Sequence, residues 1–224
     1  MRRITLMLIV LVLLALGVVN VSATSADLDS NNVYWWWGEM AGSSTIVRSD
    51  SGISGTYSSS LSNDVGSMNG YAVTVWFVVF NEPEQCGDPL DPFDQCIDTD
   101  LFNPLVKADV LYAAGNIVGG SENANFGFHL NEGDNSGSIA DLFGLPTNNG
   151  ESWGLIDARK AEVHYVLRTH GPKVPGYVKG MIQTYEGGCV FNAPYGYNPP
   201  MAENQLQLDL GDCQDVQFAV NPAP

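Results

Sequence analysis

Tyr71-Ala72-Val73-Thr74-Val75-Trp76-Phe77-Val78-Val79-Phe80 is apolar at every position but Thr74 and is made of β-branched and aromatic residues, the types that pack best on a pleated surface. Alternation leaves it no wet face, so it reads as a central strand covered on two sides. Working outward, residues 161–169 form a second strong strand. Residues 106–113, 124–130 and 178–185 read as further strands, with Phe126, Phe128 and Leu130 on one face of theirs. The run Tyr34-Trp35-Trp36-Trp37 suits a strand, and the Ser/Gly-rich residues 42–70 carry Thr45, Ile46, Val47, Ile53, Thr56 and Tyr57 as short strands joined by tight turns. Residues 141–145 fit one helical turn or a loop. Many short strands, Gly and Pro turns and no βαβ alternation predict an all-β fold. We expect an antiparallel β-sandwich or barrel-like single domain over 34–224, with long disulfide-closed loops and a polar, flexible leader at 24–33.

Ahead of that leader, Met1-Arg2-Arg3 is a short cationic start, and residues 4–19 are almost wholly apolar before Val21-Ser22-Ala23. This is the layout of a signal peptide over 1–23, with cleavage after Ala23 or, failing that, Ala26. The apolar run falls short of the ~20 residues that span a bilayer, so no membrane span is expected after cleavage. The expected destination is secreted or periplasmic.

Cleavage removes Arg2 and Arg3, leaving 7 basic against 25 acidic residues and a net charge of −18. Nucleic acid is excluded as a partner, because binding it requires cations that displace counterions from phosphates. An anionic membrane surface is disfavoured for the same reason. Four cysteines, Cys86, Cys96, Cys189 and Cys213, form an even set in an exported chain and read as disulfides. Local pairs, Cys86 with Cys96 and Cys189 with Cys213, would each pin an irregular excursion. A zinc site built on these cysteines lacks any Cys-x-x-Cys spacing.

All three histidines lie on two predicted strands. A period of two puts Glu162, His164, Arg168 and His170 on one face, opposite Val163, Tyr165 and Leu167. His129 lies opposite Phe126 and Phe128, so if the strands neighbour each other, His129, His164 and His170 converge on a Zn²⁺ or Cu²⁺ site with Glu162 nearby. The competing reading is a wet sheet face with ordinary surface charges. The same stretch concentrates the cations Arg159, Lys160, Arg168, Lys173 and Lys179, which either take an anionic group or pair with the protein's own acids. Between and after Cys86 and Cys96 come Asp88, Asp91, Asp94, Asp98 and Asp100, a solvated acidic loop or a Ca²⁺ holder outside the EF-hand spacing. No catalytic elbow, His-Glu-x-x-His, P-loop or dinucleotide pattern occurs.

Ala72-Val73-Thr74-Val75-Trp76-Phe77-Val78-Val79-Phe80-Asn81-Glu82-Pro83-Glu84-Gln85-Cys86 and Ala161-Glu162-Val163-His164-Tyr165-Val166-Leu167-Arg168-Thr169-His170-Gly171-Pro172 resemble the signature stretches of a family of uncharacterised exported bacterial β-proteins. More remotely, the strand, Thr169-His170-Gly171 and Pro175-Gly176 followed by Lys179-Gly180-Met181-Ile182 are similar to the end of CHRD domains. The chain has Tyr177-Val178-Lys179-Gly180 where that domain has Gly-Glu-Ile-Arg-Gly. Both resemblances imply a β fold and neither implies a catalytic role.

Two functions follow. One is a non-enzymatic binding module for an extracellular ligand or envelope component, using Glu162, Arg168, Lys173 and Lys179 and the aromatics of 34–37. The other is a Zn or Cu metalloprotein, with or without enzyme activity, built on His129, His164 and His170.

Overall fold

The computed structural model describes residues 27–62, 66–87, 96–189 and 213–224, with side chains from residue 31 onward. Its strands are β1 (Asp27–Trp35), β2 (Met40–Ser49), β3 (Gly52–Ser60), β4 (Tyr71–Phe80), β5 (Ala108–Ile117), β6 (Asn123–Asn131), β7 (Glu162–Pro172) and β8 (Gln214–Asn221). All belong to one sheet in the order β5-β4-β7-β8-β1-β2-β3-β6, with every neighbouring pair antiparallel. The two ends of that order, β5 and β6, come back within reach of each other, so the sheet is a nearly closed barrel. The all-β antiparallel expectation holds in its barrel-like form.

Inward side chains fill the barrel. Phe77, Phe128 and Tyr165 meet edge to face, with ring centroids 4.7 to 5.8 Å apart. Gly55 makes room for them: a Cβ there would sit 2.5 Å from both the Phe128 ring and the Tyr165 hydroxyl. Two polar groups share this interior. The Gln217 amide oxygen accepts from the Tyr57 and Ser59 hydroxyls at 2.9 and 2.7 Å. At one end the fully buried Arg48 guanidinium donates to the carbonyls of Ala158, Ala161, Asn221 and Pro222 at 2.7 to 3.2 Å.

β4 is flanked by β5 and β7, and its outer face is covered too. Phe80 packs on Cys86 and Cys96, Trp76 on Ala140 and Leu145, and Ala72 on Val174 and Met181. The covers include two short helices, α1 (Ala140–Phe143) and α2 (Val178–Gln183). α1 is the single helical turn allowed for at 141–145. Disulfides join Cys86 to Cys96 and Cys189 to Cys213, with Cα separations of 5.2 and 5.0 Å, as the local pairing predicts.

Three expectations are corrected. Residues 27–33 are not a loose leader but most of β1, paired with β2 from Asp27↔Arg48 to Val33↔Gly42. Five of these seven residues are polar, with Val33 the buried anchor, which is why composition concealed the strand. Residues 178–183 are helical: Val178, Met181 and Ile182 follow a 3–4 spacing, and Met181 and Ile182 pack with Ala72 and Ile117. Gln214–Asn221, a strand missing from the expectations above, supply β8, inserted between β7 and β1. Residues 24–26 and the signal segment lie outside the described residues.

Candidate functional site

On β7, Val163, Tyr165 and Leu167 point into the barrel, while Glu162, His164, Val166 and Arg168 face outward. The outer face is not wet. It forms the floor of a cleft of about 720 Å³, with Trp76 and Val78 of β4, His164 and Val166 of β7, and Phe218 and Val220 of β8. Residues 96–102, Phe143, Tyr185 and Trp36 stand around it. The rim is aromatic and open to water: Trp36 and Phe102 are 54% and 55% exposed, and Trp36 stands edge-on to Phe218 at 5.5 Å.

Two polar assemblies brace the walls. His164 Nε2 lies 2.7 Å from Glu162 Oε1, which also accepts the Cys96 N–H at 3.2 Å, and the imidazole packs against Phe80 at 5.0 Å. Glu162 is fully buried, and its Oε2 accepts no hydrogen bond from the described residues. The carboxylate therefore fixes the imidazole against the cleft floor and ties it to the disulfide loop. Across the cleft, Arg168 Nη1 donates to Asp215 Oδ1 at 2.8 Å and to the Tyr185 hydroxyl at 3.0 Å. Its guanidinium covers the Tyr185 ring at 3.8 Å. Burial, followed by the Asp215 charge, pushes the Tyr185 hydroxyl up, so it remains a protonated donor to Asp215.

His170 faces outward as well, beneath the segment that follows α2. A bulge on β7, where Val73 pairs with Thr169 and Tyr71 with Pro172, accompanies Gly171 at φ +76°. The imidazole is 2% exposed, and burial lowers its pKa to about 4, so the ring is neutral at pH 7. Its Nδ1 lies 2.7 Å from the Gly187 carbonyl, which can only accept, so Nδ1 carries the proton. Nε2 then accepts from the Thr74 hydroxyl at 2.8 Å, and Thr74 Oγ1 accepts from Trp76 Nε1 at 2.7 Å. A directed chain of hydrogen bonds thus runs from Trp76 to Gly187.

The three histidines do not share one donor set. His129 is exposed on β6, bonded to Ser54 Oγ and Asn131 Oδ1 at 2.8 Å each, and β5 and β4 stand between it and β7. Among the described residues, one group of three donors lies within 4.8 Å: His170, Cys189 and Cys213, whose sulfurs form the disulfide.

Nor do Glu162, Arg168, Lys173 and Lys179 meet. Glu162 opens β7 and Lys173 follows its last residue, roughly 35 Å away at ~3.3 Å per residue, and Lys179 is exposed on α2. The cationic stretch is largely neutralised by the protein's own acids. Arg159 pairs with Asp50 at 2.7 Å, Lys160 with Asp157 at 3.3 Å, and Arg168 with Asp215. In the acidic loop, Asp100 accepts the N–H groups of Gly87 and Ile97 at 2.9 Å each, a bracing role, and Asp98 lines the cleft. Asp88, Asp91 and Asp94 lie outside the described residues.

The cleft residues absent from the sequence reading are Phe102, Phe143, Tyr185, Asp215 and Phe218. The alternation of Val216, Phe218 and Val220 was a usable signal for β8, whereas nothing local marks Tyr185 or Asp215, which meet from 30 residues apart. No protein-family model, curated protein or solved structure matches the chain.

Proposed function

We propose that the protein is an exported, non-enzymatic binding module of the periplasm or cell exterior, and that it holds a small ligand in the aromatic cleft over β7 and β8. The observation that carries this reading is the cleft itself: a concave, mostly apolar floor, exposed aromatic rims and a few fixed polar groups, the usual make-up of a ligand site. Large aromatic side chains left half in water on a pocket rim gain free energy when a ligand covers them. Both disulfides stiffen this region: Cys96 lines the cleft, and Cys189–Cys213 lies between Tyr185 and Asp215 in sequence. Two disulfides are consistent with an oxidising destination, and the signal segment directs the chain there. The ligand presents a flat apolar face to the rings and a hydroxyl or amine edge to His164, Asp98 and Asp215.

Aryl glycosides, which combine a flat ring with a hydroxylated edge, are suitable probes by calorimetry on the mature protein. Saturable binding is expected, weakened about tenfold in Trp36→Ala and in Phe102→Ala without a matching loss of thermal stability. Absence of saturable binding across the series, or binding undiminished from that of the unaltered protein in both variants, would overturn the reading. N-terminal sequencing of the exported protein is expected to begin at Thr24, or at Asp27 if cleavage follows Ala26.

A further inference from the structure

We propose that His170, Cys189 and Cys213 become a copper(I) site when the Cys189–Cys213 disulfide is reduced. Its donor atoms adjoin the aromatic cleft through Trp76 and Tyr185 but do not line it, and the proposal rests on different observations.

The three donor atoms come from distant parts of the chain: β7, the segment after α2, and the residue before β8. All lie within 4.8 Å of one another, with His170 Nδ1 3.4 Å from Cys213 Sγ. His170 and Cys189 are buried and Cys213 is half-buried among the described residues. Two thiolates and an imidazole make a soft set of three, which suits copper(I). Zn²⁺ prefers four ligands, and the described residues offer three here. The other disulfide provides an internal control, because no such donor group surrounds Cys86 and Cys96 among the described residues.

The hydrogen-bond chain around His170 is arranged for the change. In the disulfide state the imidazole proton sits on Nδ1, toward the Gly187 carbonyl. For Nδ1 to bind metal, the proton must lie on Nε2, which then donates to Thr74 Oγ1. That oxygen already accepts from Trp76 Nε1, and a hydroxyl oxygen has a second lone pair to offer. Thr74 thus serves either tautomer and holds the ring in the orientation that a metal ligand needs.

The redox step balances with an external dithiol as reductant. Its two thiols give two electrons and two protons to the Cys189–Cys213 bond; that S–S bond breaks, two S–H groups form, and the dithiol becomes a disulfide. Copper(I) then displaces both thiol protons to solvent as two Cu–S bonds form, and the Nδ1–Cu bond completes a three-coordinate centre.

The test uses the mature protein carrying Cys86→Ser and Cys96→Ser, so that the remaining thiols are those of Cys189 and Cys213. After anaerobic reduction with a phosphine, copper(I) is titrated against a chromogenic copper(I) chelator. One equivalent is expected to be retained by the reduced protein and none by the oxidised one. Adding His170→Ala is expected to weaken retention about tenfold or more. As that variant can lose the fold, copper-edge X-ray absorption on the His170-bearing protein gives an independent readout. Two sulfurs and one nitrogen around copper are expected. An all-sulfur shell, retention no greater than in the oxidised protein, undiminished retention in a folded His170→Ala, or preference for Zn²⁺ in direct competition would each overturn the proposal.

Discussion

The two faces of β7 are both covered, the inner one completely and the outer one in part, and by different means. Val163, Tyr165 and Leu167 are 0% exposed through packing against rings and aliphatic side chains in the barrel. Glu162 and His170, on the other face, are equally hidden, yet their burial is offset by hydrogen bonds to Cys96, His164, Thr74 and Gly187. Removing apolar area from water is forgiving of small misplacements. Burying polar groups is not, because each unmade hydrogen bond costs about 1–3 kcal/mol. The inner face therefore supplies stability, and the outer face supplies positions. A groove whose floor belongs to a rigid barrel and whose walls are tied down by polar contacts and disulfides is preorganised for binding.

Substitutions can break this comparison. The largest effect belongs inside: Phe77→Ala empties the space shared with Phe128 and Tyr165 and should lower stability by roughly 3–5 kcal/mol in urea unfolding. A loss under about 1 kcal/mol would mean that the barrel interior is not the main source of stability. Arg48→Met tests the polar plug at the barrel end. Four carbonyls lose a charged donor, and about 3 kcal/mol should follow, with the C-terminal residues of β8 showing faster amide exchange. Thr74→Val is nearly isosteric and strips a hydroxyl from between Trp76 and His170. We expect about 2 kcal/mol, with a change in the Trp76 environment by fluorescence. The smallest effect belongs to the rim: Trp36→Ala should change stability by no more than about 1 kcal/mol, since that ring is half in water, while probe affinity falls. If Trp36→Ala destabilised as much as Phe77→Ala, the division between a stabilising interior and a binding exterior would fail.

Much of the fold was legible, and for local reasons. β4 is unmistakable because nine of its ten residues are apolar, and the inner face of β7 follows from alternation. Both disulfide pairs close short excursions. The first part of β1 escaped notice because residues 27–32 are polar except for Leu28, and α2 because a six-residue helix and a short strand look alike until their neighbours are known. The site was legible only in part. Alternation placed Glu162, His164 and Arg168 on one face correctly, but that face is covered by residues 96–102, Phe143 and Tyr185 rather than open to solvent. His129 shares their outward direction without being near them. A period of two reports which way a side chain points and says nothing about what it meets.

The amino-acid sequence by itself determined the all-β class, the strong negative charge and the local disulfides, since each depends on composition or on residues close in the chain. Tertiary structure alone decided that β8 enters between β7 and β1. That insertion brings Phe218 and Asp215 to the cleft and Cys213 to His170. The physical reason is that strand partners are chosen by closing a barrel around a common core. This choice is made by all eight strands together and is written in none of them singly.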